Sequence, residues 1–249
     1  MLKILLFLVL FSHSFSLPAN YVLKFGEASD IDAADGFLPL WSVKSSYVFM
    51  DTAIISLISS DNAADTTQTI LIQGLDSNYN EITQTATLSG QTPDTLATPL
   101  IRAYRMINQG STSLVGTARL YPDTATIASG APTLISNTKA QIVNGNNQTL
   151  MCIYTVPADY VEANLWSWSV TMSKQTASSV AILRLKVREF GKVFAIKDVG
   201  TVSSTASSHF VQDLKFPIKL KPKSDILIEA DVSANDTGLG CDFAVELIK

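Results

Sequence analysis

Between residues 149 and 172 the chain reads TLMCIYTVPADYVEANLWSWSVTM. Two apolar runs with every-second-residue alternation flank a polar break at Pro157-Ala158-Asp159. A period of two puts successive side chains on opposite faces of a pleated strand, which a helix cannot reproduce. In the second run Trp166, Trp168, Val170 and Met172 fall on one face, and Leu165, Ser167, Ser169 and Thr171 on the other. Two tryptophans on one face make the largest apolar anchor in the chain. This stretch is therefore expected to form the central hairpin of a β-sandwich.

Similar alternation recurs along the sequence. Ile70 and Ile72 oppose Thr69 and Leu71, and Ile82, Ala86 and Leu88 oppose Glu81, Thr83 and Thr85. Between these runs Asp76-Ser77-Asn78-Tyr79-Asn80 is rich in residues that hydrogen-bond their own backbone, so a hairpin is expected. Leu183, Leu185 and Val187 oppose Arg184, Lys186 and Arg188, and Ile226, Ile228, Ala230 and Val232 share a face. Pro217 interrupts a further run over 210–220, which marks an edge strand or a bulge. The fold class is all-β: two β-sandwich, jelly-roll-like domains in tandem.

The Gly-, Asn-, Ser- and Thr-rich stretch over 129–147 reads as a linker. It divides residues 47–140, the first sandwich, from 141–249, the second. Charge supports two units: residues 17–149 hold six Lys/Arg against eleven Asp/Glu, whereas residues 150–249 hold eleven of each. Residues 17–46 read as an irregular extension. Within it Asp30, Asp32 and Asp35 are close-set oxygen ligands, but the Gly and distal Glu of an EF-hand loop are missing, so a solvated acidic segment is expected. Residues 1–16, MLKILLFLVLFSHSFS, have the one Lys, short apolar run and small residues of a secretory signal peptide. The mature form then has no membrane association.

Chemistry is sparse. His13 and His209 are the only histidines, which removes most nucleophilic triads and His-metal sites. No Gly-rich phosphate loop or zinc-protease motif is present, so neither a catalytic site nor a cofactor is expected. The net charge of −4 argues against general nucleic-acid binding. A basic stripe of Arg184, Lys186 and Arg188, extended by Lys215 and Lys219, is a candidate interaction patch for acidic glycans or an acidic neighbour, set against the plainer reading of a solvated strand face. Cys152 and Cys241, the only cysteines, are either buried thiols or, in an exported protein, a disulfide.

One resemblance extends along the chain. Its elements are Tyr21-Val22-Leu23-Lys24-Phe25-Gly26 with Asp30-Ile31-Asp32, Ser60-Asp61-Asn62-Ala63-Ala64-Asp65, Ile72-Gln73-Gly74-Leu75-Asp76-Ser77-Asn78-Tyr79-Asn80-Glu81-Ile82 and Thr85-Ala86-Thr87-Leu88-Ser89-Gly90. Further on come Ile101-Arg102-Ala103-Tyr104-Arg105, Gly145-Asn146-Asn147-Gln148-Thr149-Leu150 and Ile153-Tyr154-Thr155-Val156-Pro157. In this order the chain resembles structural proteins of tailed bacteriophages, chiefly marine ones. It departs from their pattern at Asp159-Tyr160, where Gly-Lys is usual. The resemblance implies a virion component (capsid decoration, head fibre or tail appendage) that is not an enzyme and acts through copies of itself and other virion proteins. The alternative is a secreted or cell-surface β-sandwich that binds host glycans, drawn from the leader, the cysteines and the aromatics Trp41 and Tyr160.

Overall fold

The computed structural model describes residues 20–174 and 177–249. The expected leader lies outside the described residues. Among those described there is no α-helix, and strands in antiparallel sheets make up the fold.

The chain opens with β1 (Asn20–Ile31) and the short β2 (Leu38–Pro39). β1 is not the irregular extension its composition implied. It pairs with the last strand, β18 (Thr237–Ile248), from Asn20↔Leu247 to Ile31↔Thr237. A partner more than 200 residues away leaves no local trace in sequence. One cation serves the acidic turn that follows: Lys44 Nζ lies 3.3, 2.6 and 3.4 Å from Asp30, Asp32 and Asp35.

The next strands form a separate unit: β3 (Ser56–Ser60), β4 (Thr69–Leu75), β5 (Glu81–Thr87), β6 (Asp94–Thr95), β7 (Arg102–Asn108), β8 (Ala118–Pro122), β9 (Ile127–Ala128), β10 (Ala131–Pro132) and β11 (Ala140–Ile142). One sheet runs β11-β8-β3-β6 and another β5-β4-β7, with β9 and β10 a small hairpin. Ile58, Leu120 and Ile142 meet Ile70, Ile72 and Met106 in a dry core. The β4-β5 hairpin forms as expected, its turn closed by Asp76, whose carboxylate accepts from the Asn78 and Asn80 amides at 2.8 and 2.9 Å. The Ser60-to-Asp65 motif has a structural role: buried Asp65 accepts from Ser60 Oγ at 2.6 Å and from the Val115 and Gly116 amides at 2.8 and 2.9 Å. The stretch over 129–147 is not a linker, since β11 sits in this core with Ala140 and Ile142 fully buried.

The remaining strands are β12 (Ile153–Thr155), β13 (Glu162–Lys174), β14 (Val180–Arg188), β15 (Ala195–Ser203), β16 (His209–Leu220) and β17 (Asp225–Val232), then β18. They build the main sandwich, whose front sheet is β1-β18-β13-β16 and whose back sheet is β12-β17-β14-β15, with β2 added on β17. Leu165, Trp168, Val170, Phe243 and Val245 face Leu183, Leu185, Ile226 and Ile228 across the core. The domains are therefore nested, not tandem. Residues 20–41 belong to the sandwich built by the C-terminal half, and the middle unit is an insertion. Its two ends lie side by side, joined by the Trp41↔Met151 bridge and the Ser42 amide on Leu150 O at 3.0 Å.

Two expectations for residues 149–172 change. β12 and β13 lie in opposite sheets, so they are not a hairpin. A bulge between Leu165 and Ser167 also breaks the alternation. Leu165 and Trp168 both point inward, while Trp166 turns out, 38% exposed, and donates from Nε1 to Glu246 at 2.9 Å. A bulge re-aims a side chain without changing composition, so no periodicity argument sees it. The opposite strand, β16, is an edge and loops out over 214–217, which accommodates Pro217 where no ladder amide is needed. Cys152 and Cys241 are bonded to each other and tie the start of β12 to β18, with Cα atoms 6.5 Å apart, inside the span a disulfide bridges.

Candidate functional site at the junction of the two domains

The inserted unit meets the sandwich at a buried polar cluster. Asp225 opens β17, just before the Ile226-Leu227-Ile228 run that fixes it at the sheet's end. Thr155 lies opposite it on β12, Arg188 opposite it on β14, and Arg102 reaches in from β7 of the insertion. Asp225 Oδ1 accepts from Arg102 Nε at 2.9 Å and Thr155 Oγ1 at 2.6 Å. Its Oδ2 accepts from Arg102 Nη2 at 3.2 Å and from Arg188 Nε and Nη2 at 2.9 and 2.6 Å. Arg102 Nη1 donates to the carbonyls of Met50 and Ile101 at 2.6 and 2.8 Å. Charge-assisted, forked bonds of this kind are the strong ones, and a buried charge needs them.

Aromatic rings complete the enclosure. The Arg102 guanidinium lies 5.2 Å from the Phe49 ring and 5.5 Å from Tyr79, and that of Arg188 lies 4.8 Å from Phe49 and 5.0 Å from Phe194. Such cation–π contacts gain strength where water is excluded. Burial opposes the Arg102 charge, yet the hydrogen bond and attraction from Asp225 outweigh it and raise its pKa. Burial pushes the Tyr47 phenol up to about 12. Beside the cluster is a cavity of about 250 Å³, lined by Tyr79, Arg102, Arg188, Phe190, Lys192 and Asp225 among others.

A second junction feature is Lys24 on β1. It is buried, donates to Tyr104 O at 2.5 Å, and is lowered to about 7 by burial and by the Arg105 charge. It borders another cavity of about 250 Å³, with Glu81, Tyr104, Arg105 and Tyr154. The Tyr154 hydroxyl, buried there, has no hydrogen-bond partner among the described residues.

The structure divides the basic residues singled out in the sequence. Arg184, Lys186 and Arg188 do share the outward face of β14, but each is paired. Lys186 Nζ lies 3.1 Å and Arg184 Nη1 3.7 Å from Glu229, and Arg184 stacks 3.5 Å from the Phe37 ring. Lys215 and Lys219 stand on β16 in the other sheet, where Lys219 pairs with Glu162 at 3.0 Å. The five residues are thus not one patch. Of them, Arg188 alone lines the junction cavity. Arg102, Thr155 and Asp225 escape a reading by motif, because 53 and 70 residues separate them in sequence. The usable signal is a charged residue abutting an apolar strand, at Ile101-Arg102 and Asp225-Ile226. Trp41 and Tyr160, the aromatics that a glycan-binding surface would need exposed, are instead buried at 1% and 5% exposure.

Comparison with family models finds no match, and comparison with curated proteins finds none. Among solved structures the chain is similar to one of the Gx strain of infectious bursal disease virus, at 10% identity over 92% of this chain and 72% of that one, with a TM-score of 0.25. A structure of the Gt strain follows at 9% identity, covering 94% and 83% of the two chains, with a TM-score of 0.13. Derived T=1 particles of a mutant VP2 protein of the same virus give 8% identity, 94% and 80% coverage, and a TM-score of 0.13. Scores this low carry no argument about fold or function. What the molecule itself offers is an all-β, nested pair of domains locked by a buried ionic cluster.

Proposed function

We propose that this chain is a non-enzymatic virion component of a tailed phage (capsid decoration, head fibre or tail appendage) that works by assembling with copies of itself and with other virion proteins. The ordered set of strand and turn motifs supports the phage reading. The observation that carries assembly is the open outer face of the front sheet. Tyr21 and Leu23 on β1 are 69% and 57% exposed, Val211 on β16 is 54% exposed, and Phe216, in the unpaired stretch of β16 beside it, is 78% exposed. Single exposed apolar residues are ordinary, but several on a rigid sheet face mark an interaction surface. The buried junction supports the same reading, because a rigid two-domain block holds such faces at fixed angles. Mass spectrometry of purified virions, with sedimentation of the isolated chain, tests it. A chain that stays monomeric and is missing from virions overturns the proposal.

A second reading has one observation in its favour. The Cys152–Cys241 bond suits an oxidising compartment, and so a secreted or cell-surface carbohydrate-binding protein. The burial of Trp41 and Tyr160 removes its aromatic platform. Glycan-array binding by an exported, leader-cleaved chain would favour it over the first.

A further inference from the structure

The junction cavity has an excess of positive charge that its own carboxylates leave over. Arg102 and Arg188 share the single buried carboxylate of Asp225. Lys192 lines the same cavity, with Asp51 as the other acidic residue of its wall. Lys223 lies at its margin, 5.1 Å from the Tyr79 ring and 5.2 Å from Phe190. Nearby Glu189 is bound to Lys221 at 3.0 Å. The cationic groups around this opening thus outnumber the anionic ones.

Geometry adds to charge. Arg188 is fixed before any ligand arrives, held by two bonds to Asp225 and flanked by the rings of Phe49 and Phe194. Both bonds use Nε and Nη2, so its Nη1 has no acceptor among the described residues. A guanidinium with a spare donor edge, immobilised at a cavity wall, binds an oxyanion without further ordering of its own side chain. Lys192 follows a turn closed by its own amide on Glu189 O at 2.9 Å, with Gly191 at φ +71°. That turn brings Phe190 and Lys192 over the cavity mouth beside Arg188. The volume of about 250 Å³ corresponds to about eight waters at about 30 Å³ each, the scale of one sugar ring with an acid group. Domain junctions are a usual place for a small-molecule site, and here five of the eight lining residues are charged, which suits a charged ligand.

The geometry points to an oxyanion-binding site in this cavity, with Arg188 and Lys192 as its donors and Lys223 as its outer charge, for a sulfate, phosphate or carboxylate group, free or on a single sugar. This goes beyond the assembly reading and does not depend on it. Titration calorimetry at constant ionic strength, made up with chloride, is the test, using inorganic sulfate, inorganic phosphate, glucuronate and uncharged glucose as probes. Saturable binding of the anions, and none of glucose, is expected. The Lys192→Ala, Lys223→Asn double variant should weaken it about tenfold, the size expected of two partly exposed charges. Both lysines are outside the cores, and Asn tolerates the φ of +65° at position 223, so the variant keeps the fold. Asp51→Asn should tighten binding. Glucuronate binding far above the free ions would identify a saccharide as the source, and equal binding a free anion. No saturable binding, binding indifferent to the lysines, or glucose binding as well as glucuronate would each overturn the proposal.

Discussion

Asp225 is the group on which the joining of the two domains depends, and Asp225→Ala is the sharpest perturbation of it. The substitution removes five hydrogen bonds at once, from Arg102, Thr155 and Arg188. It strands two guanidinium groups, of which Arg102 has a side chain only 4% exposed. Removing one partner of a buried ion pair costs about 3–5 kcal/mol, because the remaining charge is left without compensation. For a chain of this size about 2–4 °C accompanies each kcal/mol, so a fall of roughly 6–20 °C in Tm is expected. The cluster is also a link between insertion and sandwich, beside the Lys24–Tyr104 bond and the packing of Leu75 and Ile101 into the sandwich core. Urea unfolding followed by tryptophan fluorescence, where Trp41, Trp166 and Trp168 all report on the sandwich, should therefore no longer coincide with unfolding followed by far-UV circular dichroism, which reports on both units. Thr155→Val, which deletes one donor and leaves the charges paired, should cost only about 1 kcal/mol. The double change Arg102→Met, Asp225→Leu should recover only part of the loss, because Arg188 is still left without its carboxylate. If Asp225→Ala costs less than about 1 kcal/mol and unfolding stays a single step, water already solvates the cluster and the argument fails.

Lys24 gives a pH signature. Its folded pKa of about 7 lies below the unfolded value of 10.5, so between these limits the unfolded chain binds more protons and stability rises with pH. Urea midpoints at pH 7, 8 and 9 should climb, and Lys24→Met should flatten the climb and stabilise the protein near pH 7. Reducing Cys152–Cys241, which closes a loop of 89 residues, should cost about 2–5 kcal/mol, read as a lower urea midpoint in dithiothreitol. Gly130→Ala should cost more than about 1 kcal/mol. Gly130 has φ +74° and a Cβ there would run into the Ser60 backbone, so an unchanged midpoint would contradict the turn described.

The sequence is legible where partners are close and alternation is unbroken. Leu183, Leu185 and Val187 bury against Ile226 and Ile228 as their spacing implies, and the Asp76 turn closes the hairpin it marks. It becomes illegible where distance or a bulge intervenes. Nothing local in Tyr21-Val22-Leu23 announces Val245 as the partner of Val22, and polar, acidic neighbours make β1 read as an extension. Glycine and asparagine around β11 look like a linker because tight turns use the same residues as mobile ones. The candidate site is half visible. Arg188 stands in the basic stripe of β14, but its carboxylate partner and the arginine sharing it are brought together only by the insertion's docking.

The pairing of β1 with β18 also sets an order of events during synthesis. The insertion's own sheets and core, β3 to β11, are internal to it, so it can begin to fold while the rest of the chain is still being made. The front sheet cannot. Its first strand waits for its last, across more than 200 residues, and loop closure of that length is slow. The exposed Tyr21 and Leu23 take their places on a sheet only once β18 exists. A ribosome-bound or truncated chain that lacks β18 thus leaves β1 without its only sheet neighbour.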